Sequence, residues 1–185
     1  EHFKDDEIEN KILMDTPAIS HKIDYFTFED FNTRGLTGDV NADTDYVNSH
    51  AKYCEKEKGG NCICQDFYWF VRNVARTGKG FTQMGSWGVG KTTIPASSRI
   101  HTFFALTERF DDEKRYLTGQ NILASHFLDT DRKQYIAYTD FGKKEPSKNS
   151  MFVLPVDNTG RLKMFAKLFN LRRKVGQPGT SIVVP

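Results

Sequence analysis

Apolar positions along the chain fall mostly into short runs of period two, with helical spacing in only a few places. "KIDYFTFEDF" (Lys22 to Phe31) sets Ile23, Tyr25 and Thr27 against aromatic neighbours and predicts a strand that ends in acids. "NTRGLTGDVNADTD" follows as a polar loop rich in Gly, Asn and Asp. "DFYWFVRNVART" places Phe67, Phe70, Val71 and Val74 on one helical face, and a Gly-rich stretch, "GKGFTQMGSWGVGKTT", comes next. "RIHTFFALTER" (Arg99 to Arg109) is β-branched and aromatic, which predicts a strand. Shorter strands are predicted at "RYLTGQN", "QYIAYTD" and "MFVLP". "TGRLKMFAKLFNLRR" carries Leu162, Phe165 and Phe169 at helical spacing, and "GTSIVVP" closes the sequence as a buried strand. Strands that follow one another without alternating helices predict an α+β fold with an antiparallel or mixed sheet.

Composition narrows the class. A chain of 185 residues fits a single domain over 1–185, and fifteen Phe supply much of the apolar material. A net charge of +2 gives no argument for nucleic acid or membrane, and no apolar run has the length of a spanning helix. The three cysteines do not make a disulfide framework, so the expected setting is reducing and cytoplasmic. The first residue is Glu1 rather than Met, from which a trimmed chain is expected.

"MGSWGVGKTT" (Met84 to Thr93) poses the central question. Gly85 to Thr92 fits G-x-x-x-x-G-K-[ST], the phosphate-cradling P-loop. That motif needs a buried parallel strand in front and a helix behind. "ARTGKGFTQM" in front is not a buried-strand run, and Ile94-Pro95 followed by a strand-like segment does not suit it behind. A glycine loop that closes over a triphosphate as a lid fits better, because Gly88 and Gly90 let backbone N–H groups approach phosphate oxygens without a Cβ in the way.

"MGSWGVGKTTIPASSRIHTFFALTE" resembles the glycine lid of the GHKL ATPase superfamily, which includes the ninety-kilodalton heat-shock chaperones, DNA gyrase B, histidine kinases and MutL-type repair proteins. "FTFEDFNTRGLTGD" resembles that family's Asp-x-Gly-x-Gly turn, with Asp30 ending the strand and Gly35 and Gly38 beyond. Asn32 stands at the first glycine's place, a substitution that Asn tolerates through its access to the left-handed region. The loop to Gly35 is one residue longer than the family's. "PGTSIVVP", with Thr180, looks like the late Gly-Thr strand. The resemblance implies a Bergerat-type, two-layer sandwich: a mixed, mostly antiparallel sheet with helices on one face. It implies ATP as ligand, with Asp30 accepting from the adenine amino group, assisted by Thr180. Asn32, Gly35, Gly85, Gly88, Val89, Gly90, Lys91 and Thr92 would complete the ATP-binding set.

The family's Glu-x-x-x-Asn helix, whose Glu orients the attacking water and whose Asn binds Mg2+, has no clear counterpart. "EHFKDDEIENKILMD" offers acids but no apolar helical face. The chain therefore reads as part of a larger ATPase whose catalytic helix lies upstream of residue 1, and no catalytic residue is assigned within it. Alone it should hydrolyse ATP negligibly. In the intact protein, with Mg2+, ATP closure would act as a conformational switch, with homodimerisation on ATP binding among the implied consequences.

Other readings stay open. The P-loop reading would make Lys91 and Thr92 central to NTP hydrolysis. Asp30 before a loop is also ordinary turn chemistry, Thr180 an ordinary strand residue, Lys91 a solvated lysine, and Thr92 a helix N-cap. His50, Cys54, Cys62 and Cys64 form H-x3-C-x7-C-x-C, a weak zinc pattern without paired C-x-x-C, consistent with a non-enzymatic, zinc-stabilised interaction module. Arg161, Lys163, Lys167, Arg172, Arg173 and Lys174 form a basic run with no acid among them. A solvated helix end is the simpler reading of it, and a nucleic-acid contact through Arg172 to Lys174 the alternative.

Overall fold

The structure, a computed structural model, describes residues 22, 24–42, 65–72, 89–123, 126–127, 133–135, 138–145 and 152–185. In chain order the elements are β1 (Phe26–Glu29), a π-helical turn (Tyr68–Arg72), α1 (Val89–Ala96), β2 (Thr102–Glu108), β3 (Arg115–Ile122), β4 (His126–Phe127), β5 (Gln134–Tyr135), β6 (Tyr138–Phe141), β7 (Lys143–Lys144), β8 (Val153–Leu154), α2 (Thr159–Leu168) and β9 (Gly179–Val184). A five-stranded sheet in the order β1-β9-β2-β3-β6 forms the body of the domain, and two short two-stranded ribbons, β4-β5 and β7-β8, accompany it. Every described pairing is antiparallel, so the chain is α+β around an antiparallel sheet.

Alternation along β2 sets the layers. Phe104 and Leu106 point to one face, where they join Leu117, Val156 and Val183 beneath Leu162 and Phe165 of α2. Phe103 and Ala105 point to the other, where Val184 joins them with Ile94 of α1 and Phe70 of the π-helical turn packed against the cluster. Helices on one face, as the resemblance implied, is therefore corrected: they lie on both. The physical reason is that β2 is apolar on both sides, so each face of the sheet requires cover.

Most predicted elements are present in shortened form, but "RYLTGQN" runs on to Ile122, and the single strand predicted at "QYIAYTD" is two, β5 in a ribbon with β4 and β6 at the edge of the main sheet. β1 begins at Phe26 rather than Lys22. The apolar face predicted around Phe67, Phe70 and Val71 packs inward, with Phe67 and Val71 fully enclosed, but its geometry is a π-helical turn. Val74 lies outside the described residues. α2 is capped by Asn158, whose side chain accepts from the Arg161 N–H at 3.0 Å, and it buries Leu162 and Phe165 as their spacing predicts. No helix among the described residues is long and apolar enough to cross a membrane.

Candidate functional site

The site begins where β1 ends. Residue 30 continues the ladder, its N–H donating to the Thr180 carbonyl at 3.0 Å, and the Asn32 N–H donates to the Pro178 carbonyl at 2.9 Å. Asp30 then turns its carboxylate back across the strand pair. Oδ1 accepts from the Thr180 N–H at 2.6 Å and from the Thr33 hydroxyl at 2.9 Å. Among the described residues nothing donates to Oδ2, and the side chain is 54% exposed. Asp30 is thus both the turn cap that loop chemistry predicts and a carboxylate with one oxygen facing outward.

The backbone around Asp30 bends as glycine-type positions do. Asn32 has φ +58°, Gly35 φ +69° and Gly38 φ +103°. Gly35 has a steric requirement besides: a Cβ there would stand 2.3 Å from the Glu108 carbonyl oxygen and 2.9 Å from Thr107 Oγ1. Gly179 has φ +137°, and its Cβ would meet Asp30 Oδ1 at 2.4 Å and Arg173 Nη1 at 2.9 Å. The glycine of "PGTSIVVP" is therefore what lets the late strand lie directly against Asp30.

Thr107, fully buried on β2, joins the two segments from beneath. Its hydroxyl oxygen accepts from the Leu36 N–H at 2.9 Å, donates to the Gly179 carbonyl at 3.1 Å, and lies 3.3 Å from Thr180 Oγ1. The loop beyond is held by the buried Arg109, whose guanidinium donates to the Gly38 carbonyl at 2.7 Å. Arg34 pairs with Asp66 at 2.9 Å. One step back along each strand pair, Phe28 and Ile182 are directly opposed. Alternation places them on the same face as Asp30 and Thr180, so an apolar floor adjoins the carboxylate.

A charged network lies on the opposite side of β1 and β9. Glu29 accepts from the Arg172 N–H at 2.9 Å, the Arg173 N–H at 3.3 Å and the Ser181 hydroxyl at 2.8 Å. Arg173 is enclosed, donating to Ser181 Oγ at 2.9 Å, to the Gln177 carbonyl at 2.8 Å and to the Asp30 carbonyl. Burial pulls its guanidinium below the ordinary value, opposed by the carboxylates of Asp30, Glu29 and Glu108. The buried Glu108 receives the Gly176 N–H; its other oxygen lies 3.1 Å from Arg115 Nε, close enough for an ion pair but off the line of a hydrogen bond. These contacts fix the turn that delivers Gly179 and Thr180. The solvated-helix-end reading is thus corrected for Arg173, which is interior because the Ser181 hydroxyl and the Gln177 and Asp30 carbonyls accept from its guanidinium, while Arg172 and Lys174 remain exposed.

α1 follows the glycine stretch directly and leads into β2, packing against β2 and β3. Val89, Gly90, Lys91 and Thr92 form its first turn. Thr92 is consequently inside the helix and not its N-cap, because the helix starts three residues earlier. The helix behind the Gly-Lys-Thr that the P-loop pattern requires is present. The sheet that pattern requires is not seen, since the described strands pair only antiparallel.

The structure brings Asp30, Asn32, Gly35 and Thr180 together. No hydrogen bond among the described residues joins them to Val89–Thr92, and Gly85 and Gly88 lie outside the described residues. His50, Cys54, Cys62 and Cys64 lie outside them too, and among the described residues no three His, Cys, Asp or Glu converge on a metal-sized site. Sequence reading did not single out Thr107, Glu29 or Glu108. A Thr in an otherwise apolar strand and acids closing β1 and β2 were the available signals. Comparison with known proteins returns no matching family model, curated protein or solved structure.

Proposed function

We propose that this chain is an adenine-nucleotide-binding module of GHKL type. The observation that carries the reading is the junction of Asp30 with Gly179 and Thr180 across 150 residues of sequence. It leaves one carboxylate oxygen free to accept, a threonine hydroxyl beside it and the apolar Phe28–Ile182 floor along the same face. An adenine presents an amino donor and a flat apolar ring, which match that pair of features; guanine presents an acceptor at the equivalent position. The Gly85–Thr92 stretch would close over the triphosphate, with N–H groups of the first turn of α1 directed at its oxygens. ATP binding would then switch the conformation of a larger protein. Mg2+, which the resemblance implies for that protein, is assigned to no described residue.

Asp30→Asn tests the reading. Asn retains Oδ1 for the Thr180 and Thr33 donors, so the fold should persist, while Nδ2 replaces the outward acceptor. Loss of that hydrogen bond costs about 1–3 kcal/mol, or roughly 5- to 150-fold in affinity for an adenine nucleotide. Competition by GDP should strengthen relative to ADP in a fluorescence titration with a labelled ATP analogue. Unchanged ADP affinity and unchanged base preference would remove Asp30 from the site.

A further inference from the structure

We propose that the outer face of α2, continued by Arg172, Lys174 and Val175, docks an acidic amphipathic segment of a partner protein. From residue 158 to 185 the chain contains six cations and no acid, whereas the preceding 157 residues hold twenty cations against twenty-four acids. Arg173 is interior, which leaves Arg161, Lys163, Lys167, Arg172 and Lys174 on the surface. Among the described residues none of these five is within ion-pair distance of a carboxylate. The nearest acids are engaged elsewhere. Glu29 accepts from main-chain N–H groups and Ser181, Glu108 lies inside with Arg115, and Asp157 holds Lys143 at 2.7 Å.

Helix electrostatics account for Lys167, in the last turn, but not for the whole pattern. The first turn of α2 carries no acid and has Arg161 instead, at the end where the helix dipole disfavours a cation. Core packing does not account for it either. Leu162 and Phe165 fill the inward face, yet Met164 and Leu168, one turn apart, stand 68% and 69% exposed, and Val175 is 68% exposed. At helical spacing Met164 and Leu168 form the centre of the outer face, with Lys163 and Lys167 on one side and Arg161 on the other.

The aliphatic centre decides the occupant. A phosphate backbone would meet the cations but strand Met164 and Leu168 against charge. A lipid surface needs the main apolar stripe of a helix, which here is already committed to the core. A polypeptide that sets Leu-type side chains between Glu or Asp residues satisfies both features, as in helix-on-groove recognition.

The full 185-residue chain is titrated with a synthetic helical peptide carrying Leu at i and i+4 flanked by Glu, a scrambled peptide of the same composition, a single-stranded oligonucleotide, and phosphatidylserine vesicles. Expected is saturable 1:1 binding of the patterned peptide, weakened about tenfold in Met164→Gln/Leu168→Gln and again in Lys163→Glu/Lys167→Glu. These positions are exposed, so unchanged thermal melting will show that the variants fold. No binding of the patterned peptide, equal binding of the scrambled one, preference for the oligonucleotide or vesicles, or indifference to the Met164/Leu168 pair would each overturn the proposal.

Discussion

Replacing Gly179 by Ala should damage stability and the candidate site together, and Gly176→Ala supplies the control. Both glycines have positive φ, +137° and +83°, so both substitutions force an L side chain into an unfavoured conformation, at about 1–3 kcal/mol. Their surroundings differ. A Cβ at 176 meets nothing within 4 Å, whereas a Cβ at 179 meets Asp30 Oδ1 at 2.4 Å and the Asp30 carbonyl oxygen at 2.6 Å. Relief at 179 requires Asp30 to move, which breaks the 2.6 Å bond it accepts from the Thr180 N–H. A hydrogen bond to a charged group contributes about 1.5–3 kcal/mol, so Gly179→Ala should cost roughly 2.5–6 kcal/mol in all, against about 1–3 for Gly176→Ala. A domain of this kind has about 5–15 kcal/mol in total, so the variant should still fold in the cold. Urea denaturation gives the stability loss, and titration with a labelled adenine nucleotide gives the loss at the site. Equal stability for the two variants, with equal nucleotide affinity, would refute the argument that Gly179 exists to let Thr180 reach Asp30.

Thr107→Val preserves shape but leaves the Leu36 N–H and the Gly179 carbonyl without their partner; about 2–4 kcal/mol should be lost in a chemical melt, and a loss below about 0.5 kcal/mol would show that the two bonds contribute little. Gly90→Ala separates a helix residue from a phosphate contact: Ala favours a helix by about 1 kcal/mol, so the variant should melt no lower than wild type yet bind ATP more weakly relative to ADP, and undiminished ATP affinity would count against the lid. Burial raises Asp140 above its ordinary 3.8, against the hydrogen bond from Gln120 and the charge of Arg72. The folded state therefore holds this proton more tightly than the unfolded state, and the associated stability is complete below 3.8 and lost as pH rises through the raised value. Asp140→Asn keeps an acceptor for Gln120 and should raise the melting temperature at neutral pH, with the gain vanishing in strong acid; a gain independent of pH would refute this account.

Much of the sheet was legible because it rests on local pattern. Alternation marked β1, β-branched and aromatic content marked β2, an apolar closing run marked β9, and the Leu162–Phe165 spacing marked α2. The double-sided cover of the sheet was less visible, although "TFFALTE" places apolar residues at consecutive positions and so feeds both faces. At the site, Asp30 and Thr180 were named by motif, and the structure sets them in contact. Their supports were not named, because each is defined by a partner far away in sequence: Thr107 by Leu36 and Gly179, Glu29 by Arg172, Arg173 and Ser181. A basic run gives no local sign that one member, Arg173, will be turned inward. The alternative of Thr92 as an N-cap failed on a boundary, the least determinate feature of a short helix.

β9 follows every other strand in the chain yet lies between β1 and β2. During synthesis, therefore, the first strand must wait for the last. Until β9 leaves the ribosome, β1 lacks the one strand it pairs with among the described residues, and Phe26 and Phe28 lack the strand opposite them. Asp30 likewise has no Thr180 N–H to fix it. The long closure makes folding of this half slow and late. Interrupting translation anywhere before Gly179 leaves a chain whose candidate site has not formed at all, so ligand capture would distinguish finished molecules from unfinished ones.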